Sequence, residues 1–154
     1  MRLHMNGLYR AKYKDNSWVY GFYAKCKETT YCFAEDYERF PVKTLHYIIQ
    51  DHMVDWGLPN EFRCIPIEPS TLCRLTGKFD KNYKPIYEYD IVKTLHGRLC
   101  IVEWFDSYSY CGFDLKPINT KENLDKQPPS ECLLWCPSDI EVVGNIFDNE
   151  DLLK

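Results

Sequence analysis

The chain has no apolar run of the roughly 18 residues that a membrane helix needs. Its first residues, Met1-Arg2-Leu3-His4-Met5-Asn6, are polar and mixed and lack the apolar stretch of a secretion signal, so a cytoplasmic protein is expected. There is no basic excess either: the net charge is −4 and the pI about 5.6. Nucleic-acid binders advertise a basic face, because neutralising phosphates dominates their affinity. The gradient from Arg2, Arg10, Lys12, Lys14, Lys25 and Lys27 to Asp139, Glu141, Asp148, Glu150 and Asp151 is too mild for DNA. It would equally help subunits meet head to tail.

Catalytic signatures are missing too. The sequence has no G-x-S-x-G elbow, phosphate loop, H-E-x-x-H or dinucleotide glycine fingerprint. Asp80, Glu88 and Asp90 are close enough in sequence for an acid–base pair, but Asp80 reads as a turn former and the others as a solvated face. His96 with Cys100 and Cys111 would make a thiol–imidazole pair, yet cysteines in alternating strands pack inward and no third group is evident. No cofactor is implied. The eight cysteines pair as Cys26-x5-Cys32, Cys64-x8-Cys73, Cys100-x10-Cys111 and Cys132-x3-Cys136. Only Cys132 and Cys136 match zinc-ligand spacing, and no second pair follows them. Free thiols used as small hydrophobes are the simpler expectation.

What is present is aromatic. Hydrophobic residues make up 45% and aromatics 16% of 154 residues, with twelve Tyr and eight Phe, which suits a packed, strand-rich fold. Leu8–Lys14 alternates, Asp15-Asn16 supplies a turn, and Ser17–Ala24 returns, with Gly21 marking a bulge or close backbone approach. Thr29–Phe33 reads as a third strand. Residues 41–56 fit both periods; the aromatic, β-branched run at 45–50 favours a strand over a helix. Gly57–Asn60 is a turn, Phe62–Ile67 an edge strand because of Pro66, and Pro69–Cys73 one helical turn. Thr76-Gly77 and Asp80–Asn82 are turn clusters. Ile91–Leu95 and Leu99–Trp104 form a hairpin around His96-Gly97-Arg98, continued by Tyr110–Leu115. Residues 119–130 are a loop, 140–147 a final strand, and 149–153 a helical turn capped by Asn149. The expected fold is mainly β, or α+β with a few short helices. It forms a single domain over 1–154, with sub-lobes 1–74 (a β meander) and 75–154 (an SH3-like or bent-barrel unit packed with the meander).

Several segments are familiar together. Tyr9–Lys12, Trp18–Gly21, Thr76-Gly77, Asp80–Asn82, Pro85–Glu88, Asp90–Lys93 and Val143–Asn149 resemble the signature of the YopX family over nearly the whole chain. The resemblance implies the fold and an origin in bacteriophages or prophages, with no assigned biochemical role. It also implies glycine where this chain has Tyr83 and Tyr89, in turns that often need a positive φ.

Two functions fit. One is a non-catalytic binding or assembly module, presenting a β surface to itself or to a host or phage protein. The other is a small nucleic-acid- or nucleotide-handling factor of phage replication, using Tyr9, Arg10, Lys12, Tyr13, Trp18 and Tyr20 to stack bases. The charge balance and aromatic cross-strand pairing favour the first. Surplus aromatics in a short chain predict a homo-oligomer, with Trp18, Tyr20, Tyr87, Glu88, Tyr89 and Asp90 as the contact surface.

Overall fold

A computed structural model describes residues 8–56, 61–109, 111–120 and 139–154. The chain divides into two units, Met1–Leu72 and Cys73–Lys154. The described residues are mainly strand, in antiparallel pairs, with one short α-helix.

In the N-terminal unit, β1 (Tyr9–Lys12) and β2 (Trp18–Lys27) form the hairpin read from the sequence. Asn16 takes φ 70°, a conformation asparagine tolerates, and the Asp15 carboxylate accepts from the Ser17 N–H at 2.9 Å. Thr29–Phe33 is not a strand. The chain turns there into α1 (Ala34–Arg39), held by the Tyr31 N–H donating to the Tyr37 hydroxyl and favoured by Glu35 and Asp36 in the first turn. β3 (Thr44–His52) settles the ambiguity of residues 41–56 as a strand, and β4 (Glu61–Pro66) follows at the end of the order β4-β3-β2-β1-β5. The turn expected at 57–60 lies outside the described residues. Gly21 is buried, and only glycine fits there, because a Cβ would collide with the Ile49 carbonyl oxygen and lie 2.7 Å from Ile48 Cγ2.

Among its described apolar residues, this unit fully buries only Ala11 and Ile48. Arg10, Lys12 and Thr71 are buried beside them, and the Thr71 hydroxyl oxygen accepts the Lys12 N–H at 2.8 Å. That bond explains why Pro69–Cys73 is strand and not a helical turn: the segment belongs to β5 (Glu68–Phe79), whose neighbour in the sheet is β1.

β5 runs on into the C-terminal unit and pairs there with β6 (Pro85–Tyr87). Thr76-Gly77 is a bulge within β5, not a turn: Gly77 has φ 79° and the register slips between Leu75 and Phe79. The second sheet has the order β10-β7-β8-β9, from β7 (Asp90–Thr94), β8 (Leu99–Asp106), β9 (Cys111–Pro117) and β10 (Ile140–Asn145). Its core is Ile86, Val92, Cys100, Val102, Ile140 and Val142, with Phe113 and Leu115 packed against it. Each fully buried Ile or Val here stabilises by roughly 2 kcal/mol. The last strand ends at Asn145, and the Asn149 side chain does not cap the 3-10 turn Glu150–Leu153. Instead its oxygen accepts the Asn145 N–H, tying the chain back on itself.

The Asp80 carboxylate holds this unit's first and last segments together. It accepts backbone N–H groups from Asn82 and Lys84 at 2.8 and 2.9 Å within its own turn, and from Val142 of β10 at 3.0 Å. Burial pushes the carboxyl up, but these bonds and the Lys84 charge outweigh it and hold Asp80 below its ordinary value. Since the folded-state pKa is depressed, this contribution is complete above about pH 4 and fades as pH falls through the folded value. Asp80→Asn should cost about 2 kcal/mol at neutral pH, because an amide donor would then face one of the N–H groups. Denaturant titrations should also show the variant's deficit shrinking below about pH 4. A deficit independent of pH would refute this role for the carboxylate.

Candidate functional site

The sequence singled out two places as contact surfaces, and the structure treats them differently. The turn Tyr87-Glu88-Tyr89-Asp90 is interior: Tyr87, Glu88 and Asp90 are buried and Tyr89 is half-buried. Tyr87, Glu88 and Asp90 therefore offer no contact face, and Glu88 and Asp90 do not sit on a solvated face as expected. The reason lies in their partners. Asp90 turns back to accept the Tyr87 N–H at 2.8 Å, and Glu88 takes Arg74 in a bidentate pair at 2.8 and 3.0 Å. The Arg74 guanidinium lies over the Trp104 ring at 4.4 Å and the Phe113 ring at 5.3 Å, while those rings meet edge to face at 5.0 Å. Tyr89 bonds through its N–H to the Val102 carbonyl and through its carbonyl to the Ile146 N–H, with its ring edge-on to Phe147. Glu88 and Asp90 thus bind a guanidinium and a backbone N–H, Asp80 binds three N–H groups, and none is poised as an acid–base pair.

The thiol–imidazole idea fails on geometry and charge. Cys100 is fully buried, which pushes its thiol up to about 11, whereas His96 is exposed in the hairpin turn. The expectation of cysteines as core hydrophobes holds for Cys73 and Cys100 only; Cys26, Cys32, Cys64 and Cys111 are exposed free thiols. Cys26 and Cys64 lie on the same outward face as Phe22, whereas Cys111 is in the alternation set of Phe113 and Leu115 and is exposed at the start of β9. Cys132 and Cys136 fall outside the described residues. Among the described residues no three His, Cys, Asp or Glu side chains are grouped to hold a metal ion. Nor is any described helix long and apolar enough to cross a membrane.

The N-terminal meander does present a surface, but not chiefly at Trp18. The Arg10 guanidinium lies 4.6 Å from the Trp18 ring centre and the Lys12 ammonium 5.5 Å, and both cations are buried there. They support the tryptophan from inside the fold and are not spread for phosphates. The opposite end of the same face is open. Registered cross-strand partners share a face, so Phe22 lies beside Ile49 and Cys64, Ala24 beside Tyr47 and Pro66, and Phe62 beside Asp51. With Tyr20, also on the outward set, this makes an aromatic face in which Tyr20, Phe22 and Phe62 are exposed by 38, 59 and 76%. The sequence reading had Tyr20 but missed Phe22 and Phe62. Alternation along 17–24 placed Phe22 in the same set as Tyr20, but only strand pairing reveals that no layer covers it.

The opposite face of these strands carries a polar pair. The Tyr23 hydroxyl and His46 Nδ1 are 2.8 Å apart and their rings are stacked, with Tyr9 against Tyr23 at 5.7 Å. This is a cross-strand aromatic ladder with its polar ends joined.

Both tyrosines at positions expected to be glycine keep the glycine conformation: Tyr83 has φ 61° and Tyr89 φ 65°. The turns were not rebuilt, so each residue carries about 1 kcal/mol of left-handed strain. Tyr83 is 87% exposed and gains nothing from its ring, whereas Tyr89 packs on Phe147. Chemical denaturation should therefore find Tyr83→Gly at least as stable as the parent and Tyr89→Gly less stable by about 1 kcal/mol. The reverse ranking would contradict this account.

A search among curated proteins finds no match. The family model described as YopX protein matches residues 8–154. In the C-terminal segments that carry the likeness, the residues bind that unit together: Asp80 on β10, Glu88 on Arg74, Asp90 on Tyr87, and Asn145 and Asn149 on each other's turn. With essentially its whole length covered and its signature residues accounted for by the fold, this chain belongs to the YopX family.

Proposed function

We propose that this chain is a non-catalytic binding and assembly module of phage or prophage origin, acting in the cytoplasm as a homo-oligomer. The observation that carries the reading is the aromatic face of Tyr20, Phe22 and Phe62 in a unit that fully buries only Ala11 and Ile48 among its described apolar residues. A monomer gains little by displaying such rings, and apolar surface of this kind marks a protein contact. The occupant is a second copy: the face runs on to β4, whose outer side has no neighbour among the described residues.

The engagement of Glu88, Asp90 and Asp80 with structural partners supports a non-catalytic role. Nucleic-acid handling has less support. Base stacking would need cations beside the rings, yet Arg10 and Lys12 are buried against Trp18, and Phe22 and Phe62 have Ile49, Cys64 and Asp51 as cross-strand partners.

Hydroxyl-radical footprinting of the purified full chain checks the reading. Phe33 and Phe40, exposed by 71 and 61%, serve as internal references of matching exposure. Phe22 and Phe62 should be oxidised several-fold more slowly than these references at high concentration, with protection lost on dilution. Equal rates at every concentration would overturn the reading, and protection appearing only with added single-stranded DNA or RNA would move it to the nucleic-acid alternative.

A further inference from the structure

At each described sheet end in the C-terminal unit an aspartate takes an outward N–H group. On β6, the Glu88 N–H bond to the Arg74 carbonyl sets the phase, so Tyr87 and Pro85 face outward; Asp90 takes the Tyr87 N–H and Pro85 has none. On β9 (Cys111–Pro117), the Ile118-to-Leu99 bond sets Cys111, Phe113, Leu115 and Pro117 outward; Asp114 takes the Leu115 N–H at 2.8 Å and proline again has none. On β10, the Asp80 turn takes the Val142 N–H and gives the Lys81 N–H to the Ile140 carbonyl at 3.1 Å. One aspartate and a proline or turn blunt each edge.

β4 is different. The Ile67 N–H donates to the His46 carbonyl at 3.1 Å, and continuing that phase along the register makes Glu61, Arg63 and Ile65 bond to β3. Phe62, Cys64 and Pro66 then direct their backbone groups away from the sheet. Pro66 loses no ladder bond there, which is why it is tolerated. Phe62 and Cys64 retain outward N–H groups, and among the described residues no side chain is placed to take them. This strand is an open edge.

Its sequence is self-complementary. Glu61-Phe62-Arg63, laid antiparallel on a second copy about a two-fold axis at Phe62, sets Glu61 opposite the other copy's Arg63 and Arg63 opposite its Glu61. Phe62 then exchanges two backbone hydrogen bonds with its own copy, and the ion pairs fall on the close, non-hydrogen-bonded positions. Neighbouring in-phase registers are worse. Shifting one way opposes Glu61 with Glu61, and the other way Arg63 with Arg63. A further shift pairs Phe62 with Pro66, which has no N–H to give.

We propose that two copies of this chain join antiparallel through β4, in the register that sets Phe62 on the two-fold axis, continuing both N-terminal sheets and their aromatic faces across the junction. The proposal rests on the reading of the chain as a self-assembling module and adds its edge, register and symmetry. The arrangement is isologous, so it closes at two copies and does not propagate.

Charge exchange tests it on the full-length protein. Sedimentation equilibrium should give a dimer for the parent. Glu61→Arg and Arg63→Glu alone each place like charges opposite one another twice, and each should weaken dimerisation about tenfold or more. Mixing these two variants, or combining both changes in one chain, should restore affinity to within a few-fold of the parent, which a folding defect in either variant would not permit. A parent that stays monomeric at all concentrations overturns both this proposal and the self-assembly reading. Dimerisation indifferent to the single variants, or weakened without rescue in the mixture, overturns the β4 register alone and leaves self-assembly to another surface.

Discussion

The carboxylate of Asp80 accepts N–H groups from residues two, four and sixty-two positions along the chain. The C-terminal unit depends on that bond set, because it is where the turn after β5 meets the last strand. Without it, β10 would end a four-stranded sheet with bare backbone, and Val142 and Ile140 would lose their seat in the core beside Val92 and Val102. The Lys81–Glu141 ion pair at 2.6 Å lies over the same junction but is exposed and adds little by comparison. Asp90 and Asp114 repeat the device in smaller form, each taking the N–H of a residue at a sheet edge. A short carboxylate suits this work because it offers several lone pairs and strengthens each bond with charge.

Charge is treated differently in the N-terminal unit. Arg10 and Lys12 are buried, and the Trp18 ring carries part of the cost of their desolvation. In the other unit Arg74 also lies over rings, those of Trp104 and Phe113, but has Glu88 as its ion-pair partner. In both places an aromatic next to a cation, which in sequence looks like equipment for binding nucleic acid, is a packing solution inside one unit. Phe22 and Phe62 have Ile49, Cys64 and Asp51, and no cation, as their cross-strand partners. That is why the face of Phe22 and Phe62 suits protein and not phosphate.

The strands were legible where alternation was clean and turns were marked: the hairpins at 9–27 and 90–106, and the edge strand carrying Pro66. Errors fell where a local cue competed with a distant partner. Pro69–Cys73 and Thr76-Gly77 carry turn residues, yet pairing with β1 and β6 draws them into one strand and confines the irregularity to a bulge. Thr29–Phe33 is β-prone but pairs with no strand among the described residues, and it leads into α1. Asn149 looks like a cap and is instead a clasp on Asn145.

By itself the sequence determined the mainly-β class and the family, because alternation and turn chemistry are local properties and the signature segments are contiguous. It marked Tyr83 and Tyr89 as standing where glycine is expected but left open whether those turns keep a positive φ, which the structure answers: both do. Which residues face solvent was decided only in three dimensions. Tyr87-Glu88-Tyr89-Asp90 and Tyr20-Gly21-Phe22 look alike as strings of aromatics with polar or small spacers. The first is buried because Arg74, Val102 and Ile146 come to it from far along the chain, and in the second the Tyr20 and Phe22 rings are exposed because no described layer covers that face. Burial depends on what arrives from elsewhere, and no local pattern encodes that.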